Sequence, residues 1–475
     1  MRVCLILEGS YPYVHGGVST WMHEYLQAMP DYEFVLWVIG AKEEDKGKFV
    51  YELPANVVEV HEVFLDSALR LKGDVGRKVR LTQEEEAAAD KLMNCDKPDW
   101  DVLFRLFQEK KVNPVNFLMS EAFLNVLREL CKAEYPYVAY AQAFHTIRSM
   151  LLPVFYLCEQ KVPEADYYHA ICTGYAGLLG GLAVYKTGKK LLLTEHGIYS
   201  REREEEIIRA QWVIPDFKRH WIKFFYMLSD LAYKRATTVT SLFLNASKTQ
   251  IDLGADASKC RVISNGIHYE KFCDIPLKKE DGIVDIGAVI RFAPIKDVKT
   301  LLYAFYELSQ RNPNVRLHVL GGIDDEEYYD ECVEIKENLN LQNVIFTGRV
   351  DVTKYMEKLD VTILTSLSEG QPLSVLESFA ARRPCVTTDV GCCKELLDGA
   401  SGDYLGTAGF IAPPMDRTGL ANALERLCES REKRIAMGEI GQKRVEKNYK
   451  HATMMNKYRE MYKEVQHHAL YDTAL

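Results

Sequence analysis

Thr362-Ile363-Leu364-Thr365-Ser366-Leu367-Ser368-Glu369-Gly370-Gln371-Pro372-Leu373-Ser374-Val375-Leu376-Glu377 reads as a strand, a tight loop and a helix. Val361, Ile363 and Leu364 are a short apolar run, Gly370 and Pro372 break it, and Leu373, Leu376, Phe379 and Ala380 recur at helical spacing. In an open parallel sheet, ligands bind beyond the carboxyl ends of the strands. A helix that starts there aims unpaired N–H groups and its positive dipole end at the ligand, which favours an anion such as phosphate. Glu369 stands in the loop, and Glu377 lies about one turn inside the helix, roughly 6 Å further along at ~1.5 Å per residue. A carboxylate accepts hydrogen bonds from two adjacent hydroxyls, so two of them flanking a phosphate site suit a molecule with a diol on each side. A nucleotide sugar is such a molecule. The same two glutamates also fit a helix cap and a surface ion pair with an arginine.

The surrounding chain repeats the pattern. Ile283 to Ile290 is a strand whose following loop holds Arg291 and Lys296, and Leu301, Leu302, Phe305 and Leu308 mark the next helix. Two cations beyond a strand end suit a diphosphate, Arg as a planar fork and Lys as a point charge; solvated loop charges look the same. Val315 to Gly322 and Val344 to Val350, which includes Arg349, supply two more strands, and Pro384 to Gly391 closes the sheet. Asp324-Asp325-Glu326-Glu327 reads as a solvated helix start and not a metal site.

The first half has the same alternation. Val3, Leu5 and Leu7 form an opening strand that leads to His15-Gly16-Gly17, after which Val18, Trp21, Met22, Tyr25, Leu26 and Met29 mark an amphipathic helix. A Gly-Gly pair before a helix lets backbone approach a ligand closely, and is also the mark of a plain turn. The chain has no G-x-G-x-x-G of the nicotinamide and flavin enzymes. Phe34 to Gly40 and Val57 to Val63 are further strands, and residues 66–135 change to helical periodicity with charge runs such as Gln83 to Glu86 read as solvated faces. Tyr167 to Cys172 and Lys190 to Thr194 flank a helix in a βαβ unit. The second of these strands delivers Glu195, His196 and Glu202 at its end, where an imidazole and carboxylates suit sugar hydroxyls; a lone histidine at a strand end is also a common structural hydrogen-bonder.

Ser368 to Glu377 resembles the glutamate-x7-glutamate donor motif of the retaining glycosyltransferase family 4. Its Ser-Glu-Gly-Gln-Pro-Leu wording, with Thr194 to Arg203, resembles the PelF-like branch of Pel exopolysaccharide synthesis. The resemblance covers nearly the whole chain and implies a GT-B fold: two α/β Rossmann-like domains facing across a cleft. The boundaries expected are residues 1–275 for an acceptor-side domain with a helical insertion at about 66–135, 276–445 for the nucleotide-sugar domain, and 446–475 for a helix crossing back. Gly16 and Gly17 would meet donor phosphate and acceptor through backbone amides, and His196 the transferred sugar. Arg291 and Lys296 would clamp the diphosphate, and the strand ends at Arg349 and Val350 would form the nucleobase pocket. Glu369 would grip the sugar and Glu377 the ribose, with Gly370, Gln371, Pro372, Leu373 and Ser374 adding contacts. Arg382-Arg383 stand where the family usually has a glycine.

By that resemblance the reaction is transfer of a hexose or N-acetylhexosamine from a UDP-sugar, UDP-glucose or a UDP-N-acetylhexosamine, to an oligosaccharide or polysaccharide, without a cofactor or metal. Implied partners are a membrane-embedded polysaccharide synthase or export complex, with the protein cytoplasmic or peripheral at the inner membrane face. A glycoside hydrolase using Glu369 and Glu377, and a non-catalytic UDP-sugar-binding scaffold, are the rival readings.

Composition bounds these readings. The 475 residues are 47% apolar, enough for two or three folded cores, and Asp plus Glu outnumber Lys plus Arg by 68 to 59. An acidic balance of −9 offers no basic footprint for nucleic acid. The 12 cysteines are scattered without a C-x-x-C pair, which fits a reducing cytosol. Met1 to Leu7 is too short an apolar run for a signal peptide, and the Tyr175 to Tyr185 stretch is broken by Gly177, Gly180 and Gly181. Tyr449 to Gln466 is expected to be the last helix, and His467 to Leu475 a frayed tail.

Overall fold

A computed structural model describes residues 1–76 and 78–472. Contacts divide the chain into two units: Met1–Ser241 with Ala246–Val262, and Leu242–Asn245 with the chain from Ile263 onward. Each unit is built on one parallel sheet, and the change of unit follows the last strand of the first.

The first sheet contains β1 (Arg2–Glu8), β2 (Glu33–Gly40), β3 (Val57–Phe64), β4 (Tyr167–Ala170), β5 (Leu191–Glu195), β6 (Thr238–Ser241) and β7 (Cys260–Val262), in the spatial order β3-β2-β1-β4-β5-β6-β7. All its pairings are parallel. β1, β2, β4 and β5 are buried almost throughout, as expected of strands covered on both faces. The order reverses between β1 and β4, which opens a crevice at their carboxyl ends.

Between β3 and β4 run helices at Gln83–Met93, Trp100–Gln108, Pro114–Leu118, Glu121–Glu134 and Tyr140–Cys158. Their starts are local sequence effects. Thr82 and Glu85 form a capping box, Asp99 and Ser120 accept from first-turn N–H groups, and Asn113 does so ahead of Pro114. Phe107 stacks on Phe155 at 4.8 Å, with Phe117 edge-on at 5.0 Å, so these helices share the core of the first sheet. One charge in this stretch departs from the solvated reading: Glu85 is buried. Its carboxylate accepts from Thr82 N at 2.8 Å and pairs with Lys110. Cap chemistry draws it inward.

The second sheet contains β8 (Val284–Val289), β9 (Val315–Leu320), β10 (Val344–Gly348), β11 (Val361–Leu364), β12 (Cys385–Thr388) and β13 (Gly409–Ala412), in the order β10-β9-β8-β11-β12-β13, again all parallel. β12 therefore does not close the sheet. β13 pairs with it through Gly409-Phe410-Ile411-Ala412, a run too short and too small-residued to announce itself as a strand. Gly409 is required there, because a Cβ would stand 1.8 Å from the Cys385 carbonyl oxygen.

Arg382 occupies the left-handed region at φ 60°, the conformation that favours glycine, so the turn keeps a glycine-like backbone with an arginine in it. Arg383 beside it is fully buried and donates to the carbonyls of Leu359, Ala381 and Pro276, so hydrogen bonds from the second arginine hold the turn in place. The last helix spans His451–Asp472, and so continues through most of the stretch expected to fray; residues 473–475 lie outside the described residues. Among the described residues, no helix is long and apolar enough to cross a membrane.

Candidate active site

The order of the second sheet reverses between β8 and β11. The two loops singled out in the sequence leave from those two strands, so the switch point brings them together. Lys296 Nζ lies 2.5 Å from Glu369 Oε1, and Ser366 Oγ donates to the same oxygen at 2.6 Å. Both charged side chains are mostly buried, with 18% and 14% of their surfaces exposed. The loops are also tied through backbone: Leu367 N donates to Ile295 O at 2.8 Å, and Thr365 Oγ1 to Lys296 O at 3.0 Å.

Gly391, at φ 54°, packs under this loop; a Cβ there would sit 2.2 Å from the carbonyl oxygens of both Glu369 and Gly370. Cys392 N donates to Gly370 O at 3.0 Å and holds the loop from the same side. The helix Leu373–Ala380 begins immediately after, with Pro372 as N-cap. The first-turn N–H groups of Leu373 and Ser374 have no acceptor within the helix. Leu373 is 42% exposed, and Ser374 is half-buried.

A cavity of about 390 Å³ lies beyond β8, β9 and β10, lined by Ile290, Arg291, Lys296, Gly321, Arg349 and Val350 among others. Four of the residues expected at the diphosphate and base thus share one hollow. Gly321 lets the strands converge there, since a Cβ would meet Ile290 O at 1.8 Å. Arg291 is 63% exposed and pairs with Asp324, while Asp325 caps the next helix by accepting from Tyr328 N at 2.9 Å.

Glu377 is half-buried, and burial pushes its carboxyl up to about 7, with Lys271 pulling the other way. Gln371 has a different employment from the one expected: its amide accepts from Asn265 N at 2.8 Å and donates to Asn265 O at 3.2 Å. Its side chain is thus committed to backbone, leaving its own backbone for a ligand.

In the first unit, Gly16 is extended and Gly17 opens the helix Gly17–Gln27; a Cβ at either would meet nothing within 4 Å. The space in front of the glycines is open. A cavity of about 380 Å³ at the β1/β4 crevice is lined by Glu8, Ser10, Val18, Cys172, His196, Tyr199, Glu202 and Arg203 among others. His196 stands edge-on to Trp21 at 4.4 Å, and its Nε2 is buried without a hydrogen-bond partner. Burial lowers its pKa to about 4, so it meets any ligand as a neutral imidazole.

Glu195 does not join it. Its carboxylate turns inward and accepts from Tyr233 Oη at 2.7 Å, Gln250 Nε2 at 2.9 Å, and Thr173 Oγ1 and Tyr199 N at 3.3 Å, which makes it a fully satisfied core group. Glu8, to which the sequence assigned no role, does line the cavity. It accepts from Tyr199 Oη at 2.7 Å and Ala176 N at 3.1 Å. The available signal was a carboxylate ending an otherwise apolar buried strand. Ser366 was missed because a serine in a strand-to-helix loop looks like any turn residue.

Comparison with known proteins gives two family matches: residues 1–258 match "Domain of unknown function (DUF3492)", more than half of the chain, and residues 283–430 match "Glycosyl transferases group 1". The MMP alpha-(1->4)-mannosyltransferase of Mycolicibacterium hassiacum is 23% identical over 56% of this chain and 63% of its own length. The capsular polysaccharide biosynthesis glycosyltransferase CapM of Staphylococcus aureus is 25% identical over 61% of this chain and 74% of its own. This chain therefore spans less than two thirds of the first relative. Among solved structures, Anabaena HepE in complex with UDP superposes with a TM-score of 0.61 at 15% identity, covering 98% of this chain and all of that one. Sucrose-phosphate synthase from Thermosynechococcus elongatus gives a TM-score of 0.59 at 15% identity over 98% of this chain and 99% of that one. At such identities the likeness establishes the fold, two Rossmann-like domains of GT-B type. The chain belongs to the family described as Domain of unknown function (DUF3492), and its residues 283–430 are similar to the family described as Glycosyl transferases group 1.

Proposed function

We propose that this protein transfers a hexose or N-acetylhexosamine from a UDP-sugar to a sugar acceptor with retention of anomeric configuration. The observation that carries the reading is the meeting of Lys296, Ser366 and Glu369 at the β8/β11 switch point, beside an open helix start and a cavity that holds Arg291 and Arg349. HepE, which shares the fold, is described in complex with UDP and with UDP-glucose, and this supports a UDP-sugar as donor. CapM, by its name a capsular polysaccharide enzyme, supports an exopolysaccharide or oligosaccharide as acceptor, in a PelF-like role beside a membrane polysaccharide synthase.

The chemical difficulty is to part a sugar from a diphosphate while positive character builds on the sugar. Arg291, Lys296 and the N-terminal N–H groups at Leu373 and Ser374 hold the departing negative charge in a prepared field. Each well-placed donor of that kind contributes about 3–4 kcal/mol to the transition state. Glu369 is fixed by Lys296 and Ser366, leaving its second oxygen for sugar hydroxyls, and Glu377 takes the ribose diol. Retention then follows from attack on the face the diphosphate leaves, with the leaving phosphate accepting the acceptor's proton.

The test is UDP release by the purified protein from a panel of UDP- and GDP-sugars, with and without oligosaccharide. Acceptor-stimulated release from a UDP-sugar is the expected result. Release that proceeds equally with a GDP-sugar overturns the donor assignment. UDP binding without turnover overturns the catalytic reading in favour of a nucleotide-sugar-binding scaffold.

A further inference from the structure

The crevice of the first sheet carries a device that a phosphate site lacks. The helix Tyr175–Thr187 starts at the carboxyl end of β4, next to the switch point, and its first N–H groups are where an anion would bind. That position is filled from within. Glu8, the last residue of β1, accepts from Ala176 N at 3.1 Å and from Cys172 Sγ at 3.4 Å with one oxygen, and from Tyr199 Oη at 2.7 Å with the other. The arrangement requires a glycine at the N-cap: a Cβ on Gly174 would stand 2.3 Å from Tyr199 Oη.

The rest of the cavity has the same character. Glu202 adds a second carboxylate, and the cation Arg203 is already paired with Glu206 at 2.7 Å and lies over the Tyr199 ring at 5.5 Å. His196 brings a buried, unpartnered Nε2 and no charge. Two buried lining atoms lack a hydrogen-bond partner, His196 Nε2 and Arg203 Nε, and the cavity sets the two carboxylates Glu8 and Glu202 against the one cation Arg203, which Glu206 engages through its other nitrogen, so it is polar with an acidic balance.

We propose that this crevice is a sugar subsite that excludes phosphate, with Glu8 as the specificity-determining residue: it admits the uncharged hydroxyl-bearing end of a glycan acceptor and rejects a phosphorylated sugar. The proposal rests on the transferase reading above for the name acceptor, but its chemistry is confined to the first unit. A phosphate entering here meets two carboxylates and a helix start already capped, and like charges held together in a partly desolvated site cost a factor of at least about ten in binding. Neutral hydroxyls instead donate to the free lone pairs of the carboxylates and to His196 Nε2.

The experiment is calorimetric or saturation-transfer binding to the full chain of a neutral methyl glycoside or short oligosaccharide, compared with the matching sugar phosphate, in wild type, Glu8→Gln and Glu202→Gln. UDP binding is measured in parallel as a readout of the second unit. Wild type is expected to favour the neutral sugar by at least about tenfold. Glu8→Gln, which keeps an acceptor for Tyr199, narrows that ratio about tenfold with UDP binding intact, and Glu202→Gln narrows it less. A wild type that binds the sugar phosphate as well as the neutral sugar, or binds neither, overturns the subsite, as does a ratio unmoved by both variants. Loss of UDP binding in wild type strikes the donor reading instead, and the two failures are separately visible.

Discussion

The two switch points of this molecule have the same backbone plan and opposite charge. In the second sheet, the β8/β11 crevice holds Lys296 and a helix start whose N–H groups are open, with Arg291 and Arg349 in the adjoining hollow. In the first, the β1/β4 crevice holds Glu8 and Glu202, and the helix start is stopped by a carboxylate. A parallel sheet with reversed strand order makes a ligand crevice whatever its residues, so topology decides where a ligand sits. Which ligand is decided by the last residue or two of each strand. A single glutamate at the end of β1 converts an anion site into one for hydroxyls.

The sharpest way to break this contrast is at the cationic end. Lys296→Ala removes the charge that both fixes Glu369 and faces the diphosphate, and UDP release is expected to fall about 10²–10³-fold while circular dichroism stays native. Turnover near the wild-type rate removes Lys296 from the site. Glu369→Ala is expected to fall by a similar factor.

The two carboxylates at the end of β5 and β1 differ in kind, and Glu195→Ala shows it. Tyr233 Oη and Gln250 Nε2 would lose their acceptor in the core, so stability is expected to drop by about 3 kcal/mol in denaturant unfolding, with UDP affinity unchanged. A loss of sugar binding without loss of stability would instead return Glu195 to the cavity. Gly391→Ala strains the opposite crevice, at φ 54° and against two carbonyl oxygens, and a loss of about 1–3 kcal/mol in thermal unfolding is expected together with weaker UDP binding. An alanine variant as stable as wild type would show that the loop relaxes freely.

The smallest effect is a pH dependence. Glu377 has its carboxyl raised from 4.5 to about 7 by burial, so the folded protein holds a proton that the unfolded chain releases, and this contribution to stability is lost as pH climbs from about 4.5 through 7. Ribose hydroxyls prefer the ionised form. UDP affinity is therefore expected to rise a few-fold between about pH 6 and pH 8, and to be flat in Glu377→Gln. His196, down at about 4, adds nothing to that window.

Periodicity and punctuation carried much of this in the chain itself. Apolar runs broken by Gly370 and Pro372, and the recurrence of the same pattern in the first half of the chain, announce two parallel α/β units, because strand burial and helix spacing are local properties of the chain. The same local reading put Arg291, Lys296, Arg349 and Glu369 at strand ends, and they stand around one crevice and its hollow. Tertiary structure decided what periodicity cannot express. β13 exists because β12 offers it an edge. Gln371 serves Asn265, more than a hundred positions away in the chain. Glu195 and Glu8 both end buried strands, yet one is sealed in the core and the other lines a cavity. The difference lies in which distant donors reach each carboxylate first, Tyr233 and Gln250 for one and Tyr199 and Ala176 for the other, and only folding sets those distances.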